Sequence, residues 1–264
     1  MSEDIRTVVR QKYGDIAKAG TEGCGCGPSG CCGSPGEVAD QVAEYVGYTR
    51  KELDVLPEGA NLGLGCGNPL AHAAPKPGEV VLDLGAGAGM DAFLAAREVG
   101  PAGRVIGVDM TAEMLEKARA NAAQAGVQNV EFRLGEIEHL PVADAAVDLI
   151  ISNCVINLSP EKDQVFREAF RVLKSGGRLV VSDLVLVRPL SDEVRRSVEA
   201  YVGCVAGASL RADYLRAISD AGFRDIEVVE ERSYGDAALF GDAEWMREAA
   251  RAVGLPYPYD VGVQ

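Results

Sequence analysis

The chain is predicted to be an α/β protein with a doubly wound, mostly parallel sheet, and two observations predict it. From residue 79 onward, apolar runs of strand length alternate with helical stretches of ten to sixteen residues, the rhythm of βαβ units with helices on both sheet faces. The first strand-to-helix junction, "LDLGAGAGMD" (82–91), is rich in glycine, as where a doubly wound sheet admits a nucleotide-type ligand close to its backbone.

The elements follow in order. Ile5, Val8, Val9, Tyr13 and Ile16 fall at helical spacing and mark a short amphipathic helix. Residues 20–36 concentrate glycine, proline and four of the seven cysteines, Cys24, Cys26, Cys31 and Cys32; with few side chains to pack, this stretch is expected to be a mobile arm. "EVVLDLG" is the first strand and "MDAFLAAREVG" a helix closed by Gly100. "GRVIGVD" is the second strand, and "TAEMLEKARANAAQAG" a helix opening on Thr111 as N-cap with Gly126 past its end. "NVEFRLG" and "AAVDLIISN" are the third and fourth strands, "EKDQVFREAFRVLKSGG" a helix with a glycine stop, and "GRLVVSDLVLV" the fifth strand. A helical region over about 191–220 follows, then "AGFRDIEVVEERSY" as a late, antiparallel edge strand; residues 235–264 read as a helix and a proline-broken tail. The expected division is 1–74 for the helix, arm and "GLGCGNP" loop, 75–187 for the cofactor-binding core, and 188–264 for a substrate-binding extension.

Composition excludes several partners. Hydrophobic content of 47% and charged content of 25% are those of a soluble globular domain. A formal charge of −14, without a Lys/Arg cluster, disfavours nucleic acid. No apolar run reaches membrane-spanning length, and the charged start has no signal-peptide core. The expected setting is the cytoplasm, with free, reactive or metal-binding thiols and a monomeric chain.

The glycine loop departs from the dinucleotide fingerprint, because position 90 is Met, and it is no P-loop. What remains is D-x-G-x-G-x-G, with Asp83 preceding Gly85, Gly87 and Gly89, and with Asp109 at the end of the next strand. A carboxylate there can accept from two ribose hydroxyls; the plainer reading is that it caps the following helix. Outside the arm the thiols are Cys66 in "GLGCGNP", Cys154 in "ISNCVIN" and Cys204 in "YVGCVAG". Most lone cysteines are small buried hydrophobes, and Cys204 alone reads so. Cys154 ends a central strand, where open α/β sheets bind ligands, and Cys66 lies in a glycine loop.

Over roughly residues 75–185 this pattern resembles the Rossmann-like class I S-adenosylmethionine (SAM)-dependent methyltransferases. The resemblance implies that the Gly85–Gly89 loop lies against the methionine part of SAM, that Asp109 binds the ribose and that Met110 flanks the adenine. In "GEIEHLP" it implies Glu136 as acceptor for the adenine amino group with Ile137 beside it, and it sets Asn153 and Cys154 facing the transferred methyl. "GLGCGNP", "SNCVINLSP", "LKSGGRL" and "GCVAGA", in that order, resemble the arsenite methyltransferases over most of residues 1–230. That family implies As(III) held by Cys66, Cys154 and Cys204.

The chemistry is consistent with soft, thiophilic trivalent arsenic. Three thiolates leave its lone pair exposed, and attack on a sulfonium methyl needs no general base, only positioning and exclusion of water. Methylation oxidises As(III) to As(V), and a thiol pair can return two electrons by forming a disulfide. The resemblance implies that an arm cysteine, Cys32 or Cys31, pairs with Cys66, and that an external glutathione- or thioredoxin-type thiol then reduces the pair. The substrate is expected to be arsenite or its thiol conjugate. Cys24 and Cys26 match no fixed family position, and the arm's C-x-C-x₄-C-C lacks the usual zinc-ribbon spacing. Two alternatives stand beside this reading: a SAM-dependent methyltransferase of a quinone- or sterol-like substrate, and a metalloid-sequestering or sensing protein. His72 and His139 need no catalytic role.

Overall fold

A computed structural model describes residues 4–19, 35–231 and 259–263. Cys24, Cys26, Cys31 and Cys32, and with them the redox-arm reading, lie outside the described residues. Helix α1 (Ile5–Ala19) is followed by α2 (Pro35–Tyr45) and two single turns, α3 (Arg50–Leu53) and α4 (Leu70–Ala73). The alternating core runs β1 (Val80–Leu84), α5 (Met90–Val99), β2 (Arg104–Asp109), α6 (Ala112–Ala125), β3 (Val130–Leu134), β4 (Val147–Asn153), α7 (Lys162–Val172) and β5 (Leu173–Asp183). Beyond it lie α8 (Asp192–Arg196), α9 (Val198–Val202), α10 (Arg211–Asp220), β6 (Ile226–Val228) and β7 (Tyr259–Val263).

The sheet order is β3-β2-β1-β4-β5-β7-β6. The first five strands are parallel, and β7 runs antiparallel to both β5 and β6. Alternation along each strand supplies two cores. Leu82, Leu84, Ile106 and Val108 pack with Val165, Phe166 and Ile218 of α7 and α10 on one face. Val81, Val105, Leu149 and Ile151 pack with α5 and α6 on the other. The strand order reverses between β1 and β4, and their carboxyl ends open the crevice where such sheets bind ligands.

Three expectations are corrected. Helix α7 stops at Val172, before the glycines. Leu173 turns extended, and the "LKSGG" stretch starts β5 against Val147, with a register irregularity before Leu149; burying Leu173 decides this over local helix preference. The helical region 191–220 is three pieces. Ser191 and Ser197 accept from Val194 N and Ala200 N, so each serine starts a new short helix. The tail contains a strand, β7, which pairs the edge of β5 that would otherwise be unpartnered. The sheet therefore continues past residue 187, because β6 and β7 complete it. Among the described residues, no helix is long and apolar enough to cross a membrane.

Candidate active site

The crevice at the β1–β4 switch is a pocket roofed by α1, and it is built around buried acids. Asp83 is buried at the end of β1, and its Oδ2 has no hydrogen-bond partner among the described residues. Burial pushes its carboxyl well above the usual range, and Asp91 and Asp109 add repulsion. Asp91, in the first turn of α5, accepts from the Tyr48 hydroxyl at 2.6 Å and from Asn153 Nδ2 at 3.1 Å; burial still raises it. Asp109 Oδ2 accepts from Gly87 N at 3.0 Å and its Oδ1 from Thr111 N at 2.8 Å. One carboxylate thus serves the glycine loop and the start of α6 together, while Thr111, in the expected N-cap position, makes no side-chain cap bond. Gly85 has φ 68°, and a Cβ there would overlap Val155, so the loop can take this path only as glycine. Two buried carboxylates, Asp83 with an orphaned oxygen and Asp91, and the half-buried Asp109 fit a cationic ligand carrying hydroxyls.

Asp83, Gly85, Gly87, Asp109, Met110, Ile137, Asn153 and Cys154 all line the pocket, whereas Gly89 and Glu136 do not. Gly89 starts α5 beneath Phe93. Glu136 faces outward and receives Arg10 at 3.0 Å. Its place on the wall falls to Glu138, which is buried and accepts from Ser159 Oγ at 2.5 Å and Arg6 Nε at 3.3 Å. Arg6 also pairs with Glu161 at 2.8 Å, so ion pairs seat α1, with Val9 and Tyr13, over the opening.

Beside the pocket, Cys66, Cys154 and Cys204 share one apolar cluster with Val9, Leu158, Leu184, Leu186 and Ala200. Cys66 and Cys154 are disulfide-bonded, with Cα atoms 5.6 Å apart. Cys66 is thus partnered by Cys154, where the resemblance implies an arm cysteine. Cys204 is free and buried, and its Sγ donates to the Cys154 carbonyl at 2.9 Å. Burial, and then Asp183, push the Cys204 thiol up. Cys154 and Cys204 have φ of 58° and 63°, a left-handed region that costs a residue with a Cβ about 1 kcal/mol or more.

Asn153 joins the two halves. Its Oδ1 accepts from Cys66 N at 3.0 Å, while Nδ2 donates to Gly67 O at 2.8 Å, the Tyr48 hydroxyl at 2.9 Å and Asp91. A Cβ on Gly65 would lie 2.8 Å from Asn153 Nδ2, so the thiol loop passes this close only as glycine. The sequence reading missed Tyr48, Asp91, Glu138 and Asp183. Asp183 could have been found by the rule that picked out Asp83 and Asp109, an acid at a strand's carboxyl end. His72 Nε2 lies 3.1 Å from Glu230, and His139 is on the exposed surface.

Comparison with known proteins agrees with this geometry. A family profile described as "Methyltransferase domain" matches residues 75–239, which defines the class: a methyltransferase-type α/β domain. Arsenite methyltransferases match over most of the chain. That of Halobacterium salinarum is 51% identical, over 86% of this chain and 59% of its own length. That of Rattus norvegicus is 33% identical, over 96% of this chain and 69% of its own. The crystal structure of an arsenic(III) S-adenosylmethionine methyltransferase from Chlamydomonas reinhardtii superposes with a TM-score of 0.66 at 36% identity, covering 85% of this chain and 73% of that one. The chain belongs to the arsenite methyltransferase family. It spans 59% of the length of the Halobacterium salinarum relative and 61% of that of the arsenite methyltransferase of Aquipseudomonas alcaligenes, which is 45% identical over 76% of this chain.

Proposed function

We propose that this protein methylates As(III) held on Cys66, Cys154 and Cys204, using SAM. The observation that carries the reading is the meeting of three cysteines, from distant parts of the chain, in one buried apolar cluster whose Cys154 also lines the pocket. SAM, when bound, supplies a sulfonium methyl as electrophile. Asp83, the Gly85–Gly87 turn and Asp109 hold its charged and hydroxyl-bearing parts; Met110, Ile137 and Glu138 flank the base. The three thiolates leave arsenic its lone pair as nucleophile, so no general base is required, and the apolar shell excludes water.

Once an external thiol has reduced the Cys66–Cys154 bond, loading releases three waters: As(OH)₃ and three thiols give the tris-thiolate. After transfer, two electrons return arsenic to As(III), and two thiols supply them by forming a disulfide. Cys66 with Cys32 or Cys31 remains the proposed pair, formed in place of the bond that Cys66 makes to Cys154 in the structure. An external glutathione- or thioredoxin-type thiol resets it, which places the reaction in a reducing cytoplasm.

Purified protein given SAM, arsenite and a thiol reductant is expected to release methylated arsenic, separated by chromatography and identified by mass. Cys66→Ser, Cys154→Ser and Cys204→Ser are each expected to abolish it while SAM still binds in calorimetry. Bound SAM without methylated arsenic overturns the assignment. Near-normal turnover of an organic substrate by the Cys66→Ser variant would instead establish a generic methyltransferase.

A further inference from the structure

The arsenic reading leaves the buried carboxylate of Asp183 unused. Asp183 ends β5, is 1% exposed, and has a carboxylate oxygen within 4.8 Å of both the Cys66 and the Cys154 sulfur. It is held rigidly. Oδ1 accepts from Asn157 Nδ2 at 2.7 Å and Leu184 N at 3.0 Å, and Oδ2 from the Tyr214 hydroxyl at 3.0 Å. As(III) on three thiolates is neutral and soft, and gains nothing from a hard carboxylate.

We propose that Cys66, Cys154 and Asp183 form a second, overlapping site for a borderline-soft divalent cation of the zinc type, open once the disulfide is reduced. It rests on the arsenic reading only in sharing two thiols with it. The donor set argues for the cation. Two thiolates and one carboxylate are a zinc ligand set that leaves a fourth, open position for water. Bonds that fix a ligating carboxylate are what tune such sites, and Asp183 has three of them already in place. Asn157, one of those donors, keeps its own buried Oδ1 without a partner among the described residues. Charge closes as well: three negative ligands are balanced by a divalent cation and by Lys162, whose ammonium acts on Asp183 and Cys204. Reduction of the disulfide by two electrons and two protons yields two thiols, and cation binding releases both protons to solvent. Arsenite and zinc therefore compete for Cys66 and Cys154, arsenite adding Cys204 as third ligand and zinc adding Asp183.

The test uses the full chain with Cys24, Cys26, Cys31 and Cys32 changed to serine, reduced with a phosphine and titrated with Co²⁺ as a spectroscopic stand-in. Thiolate-to-cobalt charge-transfer bands are expected, bleached by Zn²⁺ and by arsenite. Asp183→Asn is expected to weaken Co²⁺ binding by at least the about 10–100-fold that supporting residues of metal sites are worth, with arsenite affinity unchanged. Cys204→Ser is expected to do the reverse. Asp183→Cys, which restores a ligand, is expected to recover Co²⁺ binding, and unchanged SAM affinity in each variant shows that the fold persists. Absence of thiolate–cobalt bands, or Co²⁺ affinity within twofold of the parent in Asp183→Asn, overturns the proposal, as does a loss in Cys204→Ser as large as that in Asp183→Asn. If Cys204→Ser leaves arsenite binding intact, the three-thiol arsenic reading fails while the cobalt result stands.

Discussion

Replacing Asn153 by alanine removes one acceptor, serving Cys66 N, and two N–H donors shared among Gly67 O, the Tyr48 hydroxyl and Asp91 Oδ2. Each hydrogen bond is worth about 0.5–1.5 kcal/mol net, and a buried partner left unsatisfied costs more. Water entering the space vacated beside the pocket recovers part of the loss, which leaves about 2–4 kcal/mol. For a chain of this size that is a fall in Tm of roughly 5–15 °C. Because the same side chain positions the loop carrying Cys66, arsenite affinity is expected to fall as well, by more than SAM affinity does. Differential scanning calorimetry under reducing conditions, with and without arsenite, reads both effects. A Tm within 1–2 °C of the parent with unchanged arsenite affinity would refute the claim that Asn153 couples the acidic pocket to the thiol loop.

Three further predictions follow from the same geometry. Gly85→Ala forces a Cβ into a left-handed residue and against Val155; it is expected to cost more than about 1–2 kcal/mol and to weaken SAM binding in calorimetry. Asp109→Ala removes the acceptor that ties Gly87 to the start of α6 and is expected to weaken SAM about 10–100-fold, since bonds to a charged group are worth about 1.5–3 kcal/mol each, leaving arsenite binding to the thiols intact. Asp183 gives a pH signature: burial pushes its carboxyl up to about 7, against about 3.9 in the unfolded chain. A raised carboxyl favours the fold below the unfolded value and loses that advantage as pH rises through the folded one. Metal-free protein with the Cys66–Cys154 bond intact is therefore expected to lose up to about 4 kcal/mol relative to Asp183→Asn between pH 4 and 7. Tm-versus-pH curves that run parallel would refute this.

What was legible in the sequence was local. β1, β2, α5 and α6 declare themselves by apolar runs and glycine stops, because each is decided within its own few residues. Asp109 was legible for the same reason: an acid at a strand end has few ways to point. Periodicity ends where loops begin, and there side-chain placement is not legible. Nothing in "GEIEHLP" distinguishes Glu136 from Glu138. The turn sends the first to Arg10 in solvent and the second to Ser159 inside the wall. Short strand β7 was illegible because its stability comes from the free edge of β5, far away in sequence.

The sequence by itself determined the parallel α/β plan, the cofactor-type loop and the presence of soft ligands. Only the tertiary structure decided that Cys66 meets Cys154 across 88 residues and Cys204 meets Cys154 across 50, with Asp183 against them. Residue type fixes what an atom can bind, while the order of strands in the sheet fixes which atoms stand close enough to bind together.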